Sequence, residues 1–192
     1  MLSTPAARRI QPGHATTLPP AGAFLMEFLD RSIVRERRLE ALWKRASRGP
    51  FEEEFRDTLL FESYEDREHA RILRRHRATA ARALGIEKRS PGSRASKVGR
   101  TFSPAAALAE ALCLKAACRA EYAGMVRFVE ERFLRKFIEV LANSEDASHP
   151  HLLERAGAYG IRPKFPDPAR AASLRPMIPQ LVRTPALVSN IA

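Results

Sequence analysis

The string Glu-Asp-x-x-His occurs twice in this chain of 192 residues, as Glu65-Asp66-Arg67-Glu68-His69 and, 80 residues later, as Glu145-Asp146-Ala147-Ser148-His149. Both copies lie in segments whose apolar residues recur at helical spacing. An acid and a histidine three positions apart share one helix face and reach toward one point. Two such helices facing each other supply half of a carboxylate and histidine site inside a helical core. The fold must therefore bring two distant helices together, and the strand signal is negligible throughout.

Four helical stretches are expected. The first runs from about residue 24 to 47, with Leu25, Leu29, Leu39 and Trp43 on one stripe, and ends at Gly49-Pro50. The second runs from about 51 to 84, stopped by Gly85, with the stripe Phe55, Leu59, Glu62, Asp66, His69 and Leu73. A basic linker over 87–103 carries five Lys or Arg against one Glu. The third helix starts after Ser103, an N-cap residue, with Pro104 at its first position. Its stripe is Ala111, Lys115, Cys118, Tyr122, Met125 and Val129. The fourth covers roughly 134–157, without a Gly or Pro to mark its start.

The chain divides into a basic extension over 1–23, a helical unit over 24–158 and an arm over 159–192. The arm holds Pro163, Pro166, Pro168, Pro176, Pro179 and Pro185, which exclude a long helix. It also keeps Ile178, Leu181, Val182, Leu187 and Val188, so it is expected to lie on its own helices or on a partner subunit.

Two long helical hairpins joined by a linker make an antiparallel four-helix bundle with a crossover. The net charge of +11 implies an anionic partner such as RNA, an acidic protein or a lipid surface, or else import into an organelle. No apolar run is long enough to span a bilayer. Residues 1–26 carry Arg8 and Arg9, several Ser and Thr, and no acid, which is the composition of a mitochondrial transit segment. The expected location is mitochondrial, and otherwise cytoplasmic. Cys113 and Cys118, five apart on one helix, point to different faces and are not expected to form a disulfide.

The second-helix sequence FESYEDREHARIL resembles the corresponding helix of rubrerythrin and the wider ferritin-like di-iron family. SEDASHPHLL resembles that family's fourth helix. The resemblance covers residues 24–158 and implies a four-helix bundle holding two irons. Glutamates would come from the first and third helices and Glu-x-x-His from the second and fourth. The family's oxidases, peroxidases, hydroxylases and iron stores set the range of activities that it implies.

Carried over residue by residue, the metal positions fall on Asp66, His69, Asp146 and His149, with aspartate in place of glutamate in both helices. On the third helix the ligand position falls on Lys115, seven residues before Tyr122. An ammonium has no lone pair to offer a metal. On the first helix the register gives Ser32, seven before Leu39, with the acids Asp30 and Glu36 off that register. Pro150 would bend the fourth helix beside His149. Lys115 could instead neutralise Asp66 and Asp146, leaving the histidines as hydrogen-bonded core residues. Glu62 is expected to be a solvated helix position, or else a spare ligand.

Two functions are thus expected from the sequence. The first is a ferritin-like accessory or structural subunit of a mitochondrial complex, ribosomal or respiratory, with the metal site lost, no cofactor and no catalytic residues. It would contact other subunits through the 159–192 arm. The second is an active di-iron oxidoreductase or hydroxylase with two iron ions, using Asp66, His69, Asp146 and His149 with Asp30 or Glu36 and Glu110 or Glu121. A further basic cluster, Arg71, Arg74, Arg75, Arg77, Arg82, Lys88 and Arg89, reads either as a footprint for an RNA backbone or as a solvated helix end.

Overall fold

A computed structural model of the chain describes residues 20–86 and 103–165, with the side chains of residues 20, 21 and 145–147 outside that description. The extension before residue 20, the linker over 87–102 and the arm beyond 165 fall outside the described residues, as do Lys88 and Arg89. The protein is all-α. Among the described residues there are four helices and no strand: α1 (Pro20–Ala46), α2 (Glu53–Ala83), α3 (Pro104–Met125) and α4 (Arg132–Ala158).

Local chemistry sets the helix ends. Ser103 caps α3, its hydroxyl accepting from the Ala106 N–H at 3.1 Å, and Pro104 follows at a position where no N–H is needed. The unmarked start of α4 is set by Glu131, whose carboxylate accepts from the Phe133 N–H at 2.8 Å and from the Leu134 N–H at 2.5 Å. α2 and α4 end in the same way. Gly85 and Gly160 take positive φ of 65° and 72°, and the following residues donate back five positions, Ile86 to Ala81 and Ile161 to Ala156. Gly49, in the turn between α1 and α2, lies beneath the Phe51 ring, and a Cβ there would come within 2.5 Å of it.

α1 packs along both α2 and α3, α3 packs along α4, and α2 meets α4 over a smaller seam. One core cluster joins all four helices, including Phe28, Leu39 and Trp43 of α1, Phe55 and Leu59 of α2, Leu108 and Leu112 of α3, and Ile138 and Leu141 of α4. The predicted stripes of α2 and α3 are the faces that turn inward, polar members included. Pro150 lies inside α4 and does not end it, because the helix continues to Ala158. Proline removes a single intrahelical hydrogen bond, and Leu152 and Ala156 beyond it are anchored in the core.

The start of the C-terminal arm folds back. Tyr159 stacks on Phe55 with centroids 5.7 Å apart, Ile161 packs against the core, and the Cys113 thiol donates to the Lys164 carbonyl at 3.4 Å. Cys113 is half-buried, Cys118 is buried, and no disulfide joins them.

On the α2–α4 seam, His76 stacks on Phe137 with centroids 5.3 Å apart. Burial holds the His76 pKa below the ordinary histidine value, with the Glu131 carboxylate acting in the opposite sense. The unfolded chain therefore binds the proton more readily than the folded one. The stability this seam contributes is complete above about pH 6.5, the ordinary histidine value, and declines as pH falls through the lower folded value. Urea unfolding of wild type and His76→Phe between pH 7.5 and 5 is expected to give diverging midpoints, with the variant losing less on acidification.

Candidate functional site

Glu36, Ser32, Glu62, Ser63, Asp66, Lys115 and His149 are the buried polar and charged residues among those described. They belong to all four helices. Three carboxylates and one ammonium thus sit where desolvation penalises every uncompensated charge.

Each acid has a donor. The Lys115 ammonium, 1% exposed, donates to Glu62 Oε2 at 2.7 Å, and its nitrogen stands 6.0 Å from the centre of the Trp43 ring. The Trp43 indole N–H donates to Asp66 Oδ2 at 2.8 Å. The Tyr122 hydroxyl donates to Glu36 Oε1. His69 lies between the last two acids, its Nδ1 at 3.4 Å from Glu36 Oε2 and 3.8 Å from Asp66 Oδ1. The result is a polar path across the core, from Trp43 through Asp66, His69 and Glu36 to Tyr122.

Glu36, Asp66 and His69 each place one ligand atom within 4.8 Å of the others. Glu36 Oε2 is buried and has no hydrogen-bond partner among the described residues. His149 is buried on α4 with the Phe165 ring 6.0 Å away. The side chain of Asp146 lies outside the described residues.

Two expectations from the sequence are corrected here. Glu62 is not solvated but 3% exposed and paired with Lys115, the counter-charge expected to serve Asp66 and Asp146. Glu36 is not off the inward register but fully buried. The signal was present in the sequence: Leu29, Glu36 and Trp43 are spaced by seven, so an acid interrupts an otherwise apolar stripe. Trp43 belongs to the core as its stripe implies, and it is also the hydrogen-bond donor to Asp66.

The remaining candidate acids lie at the periphery. Asp30 pairs with Arg77, Glu110 with Arg38 at 2.5 Å, and Glu121 with Arg31 at 2.8 Å and with Arg35. They tie the outer edges of α1 to α2 and α3 and take no part in the buried cluster.

Compared with family models, with curated proteins and with solved structures, the chain has no match in any of the three. Its chemistry is read from the geometry.

Among the described residues, three ligand atoms converge, from Glu36, Asp66 and His69. At that level α3 presents the Lys115 ammonium, which has no lone pair to offer a cation and is engaged with Glu62. One oxygen of Glu36 and one of Asp66 are held by tyrosine and tryptophan donors. Three ligand atoms remain grouped closely enough to surround a single cation.

Removing only the lysine would leave Glu62 buried without its partner. Lys115→Met is expected to destabilise the fold by about 3–5 kcal/mol. The double variant Lys115→Met, Glu62→Leu is expected to regain most of that loss, because the uncompensated carboxylate is gone. Denaturant unfolding of the wild type, both single variants and the double variant measures the coupling.

Proposed function

We propose that this chain is a ferritin-like antiparallel four-helix bundle that has lost the two-iron site of that family. It serves as a non-catalytic accessory or structural subunit of a larger complex. The observation that carries the reading is the buried Lys115–Glu62 pair, 2.7 Å apart, at the level where a second metal would need a carboxylate from α3. The other buried acids have internal donors as well, so the core needs no dinuclear centre to hold its carboxylates.

Helix direction supports the ferritin-like arrangement. Trp43, Glu36 and Asp30 pair with Asp66, His69 and Arg77, so residue numbers fall along α1 as they rise along α2. Arg38 and Arg31 pair with Glu110 and Glu121, which gives α3 the opposite sense to α1 too. α2 and α3 then run in the same direction, and their connection must cross the length of the bundle. The 20 residues between Ala83 and Pro104 reach up to about 66 Å when extended, against about 40 Å for the 27 residues of α1. No described helix is long and apolar enough to cross a membrane. The mitochondrial setting, ribosomal or respiratory, rests on the basic, acid-free composition of residues 1–26. The 159–192 arm is the proposed contact with neighbouring subunits.

One observation favours a second reading. The convergence of Glu36, Asp66 and His69 within 4.8 Å matches a site for one divalent cation, with two carboxylates and an imidazole as ligands. A bound ion would supply Lewis acidity there, with Tyr122 and Trp43 orienting the two acids.

Elemental analysis of the full-length chain, purified without chelator, separates these readings. The accessory-subunit reading expects no stoichiometric iron, manganese or zinc. Two irons per chain would overturn it. One divalent ion per chain, lost in Glu36→Gln, would establish the single-cation reading instead.

A further inference from the structure

α2 carries seven arginines and no lysine, and six of those arginines lie within the segment from 67 to 82. Arg77 turns toward α1 and pairs with Asp30. Arg67, Arg71, Arg74, Arg75 and Arg82 are all exposed and share the face of α2 that points away from the core. Between the first and the last, the helix rises by about 22 Å. Glu68 is the sole acid in this segment, and it holds Arg71 at 2.6 Å. Among the described residues no carboxylate forms an ion pair with Arg67, Arg74, Arg75 or Arg82, nor with the exposed Arg37 of α1.

Burial lowers the pKa of Arg74, and the nearby Arg37 of α1 acts in the same sense, against the carboxylate of Glu40, which is itself paired with Lys44. Like charges on neighbouring helices raise the local positive potential, which favours an anionic partner.

We propose that this arginine ridge, Arg67, Arg71, Arg74, Arg75 and Arg82 of α2 with Arg37 of α1, docks the phosphodiester backbone of an RNA duplex. The inference deepens the accessory-subunit reading and rests on it, by giving the partner a chemistry. Guanidinium groups match phosphate oxygens with two parallel hydrogen bonds, which ammonium groups do not. A membrane surface would call for large apolar side chains beside the cations, and the exposed residues between Arg67 and Arg82 include only Ala78 and Thr79 besides charged ones.

Reading of adenine edges is not provided for. α2 contains no Asn or Gln, the residues that pair with adenine edges. α1 packs along one flank of α2 and leaves its outer, arginine-bearing face open. That face can lie across the backbone of an A-form duplex, which proteins recognise by shape and phosphate.

The test is fluorescence anisotropy of the full-length chain with a 20-base-pair RNA duplex, a DNA duplex of the same sequence and phosphatidylserine vesicles. Six phosphate contacts predict that log affinity falls against log salt with a slope of about −5. Arg67→Gln, Arg74→Gln, Arg75→Gln and Arg82→Gln combined should weaken RNA binding about tenfold or more and flatten the slope by about 3–4. Arg132→Gln, Arg135→Gln and Lys136→Gln combined, which removes three exposed charges from α4, should leave binding within about twofold.

Circular dichroism melts confirm that both variants fold; the substituted side chains are exposed. RNA binding that is equal in the two variants would overturn the proposal. Equal affinity for the DNA duplex, or binding to vesicles and not to RNA, would overturn the choice of partner. None of these outcomes depends on metal content, so failure here is distinguishable from failure of the accessory-subunit reading.

Discussion

An ammonium buried against a carboxylate at the centre of four helices sets the terms for the rest of this core. Lys115 and Glu62 both lie within a few per cent of full burial and 2.7 Å apart. Neither charge could remain there alone, because removing a charged group from water costs several kcal/mol even after relaxation. The pair thus fixes α2 and α3 at one relative height. Trp43, 6.0 Å from the ammonium, is held at the same level from α1 by its hydrogen bond to Asp66. A slip of any one of these helices by a turn would strand at least one buried charge, so the polar cluster specifies register more strongly than apolar packing does.

The pair does not balance the whole interior. Glu36, Glu62 and Asp66 bring three potential negative charges, against the single ammonium of Lys115. Tyr122 and Trp43 each donate to one oxygen of these acids, and the His69 ring lies between Glu36 and Asp66. On α3 the residue at this level is Lys115, engaged with Glu62, while Glu36, Asp66 and His69 remain grouped beside it.

The outer surface follows a different rule. Between α1 and α3, Arg31, Arg35 and Arg38 meet acids across the helix boundary, at Glu121 and Glu110. Such exposed pairs contribute little to stability individually. Their effect is to consume charge, so the net +11 of the chain is left to regions without matching acids. The outer face of α2 is one of them, with Glu68 as the sole acid between Arg67 and Arg82.

Much of the helical pattern was legible in the sequence. Ser103-Pro104 and Gly85 mark ends that the structure places within a residue or two, because caps and left-handed stops are local chemistry. The start of α4 was not, since Glu131 acts as its cap through a carboxylate in a sequence with no conventional signal. The stripes Phe55 to Leu73 and Ala111 to Val129 identified the inward faces of α2 and α3, since periodicity alone fixes which residues share a side. Sequence by itself therefore determined the helices, their buried faces and the presence of Asp66, His69 and Lys115 on those faces. Only the tertiary structure decided that Lys115 meets Glu62, that Glu36 completes the group around His69, and that Glu110 and Glu121 go to surface arginines. Those choices depend on the rotation and height of one helix against another, and such offsets are set by packing between segments far apart in the chain.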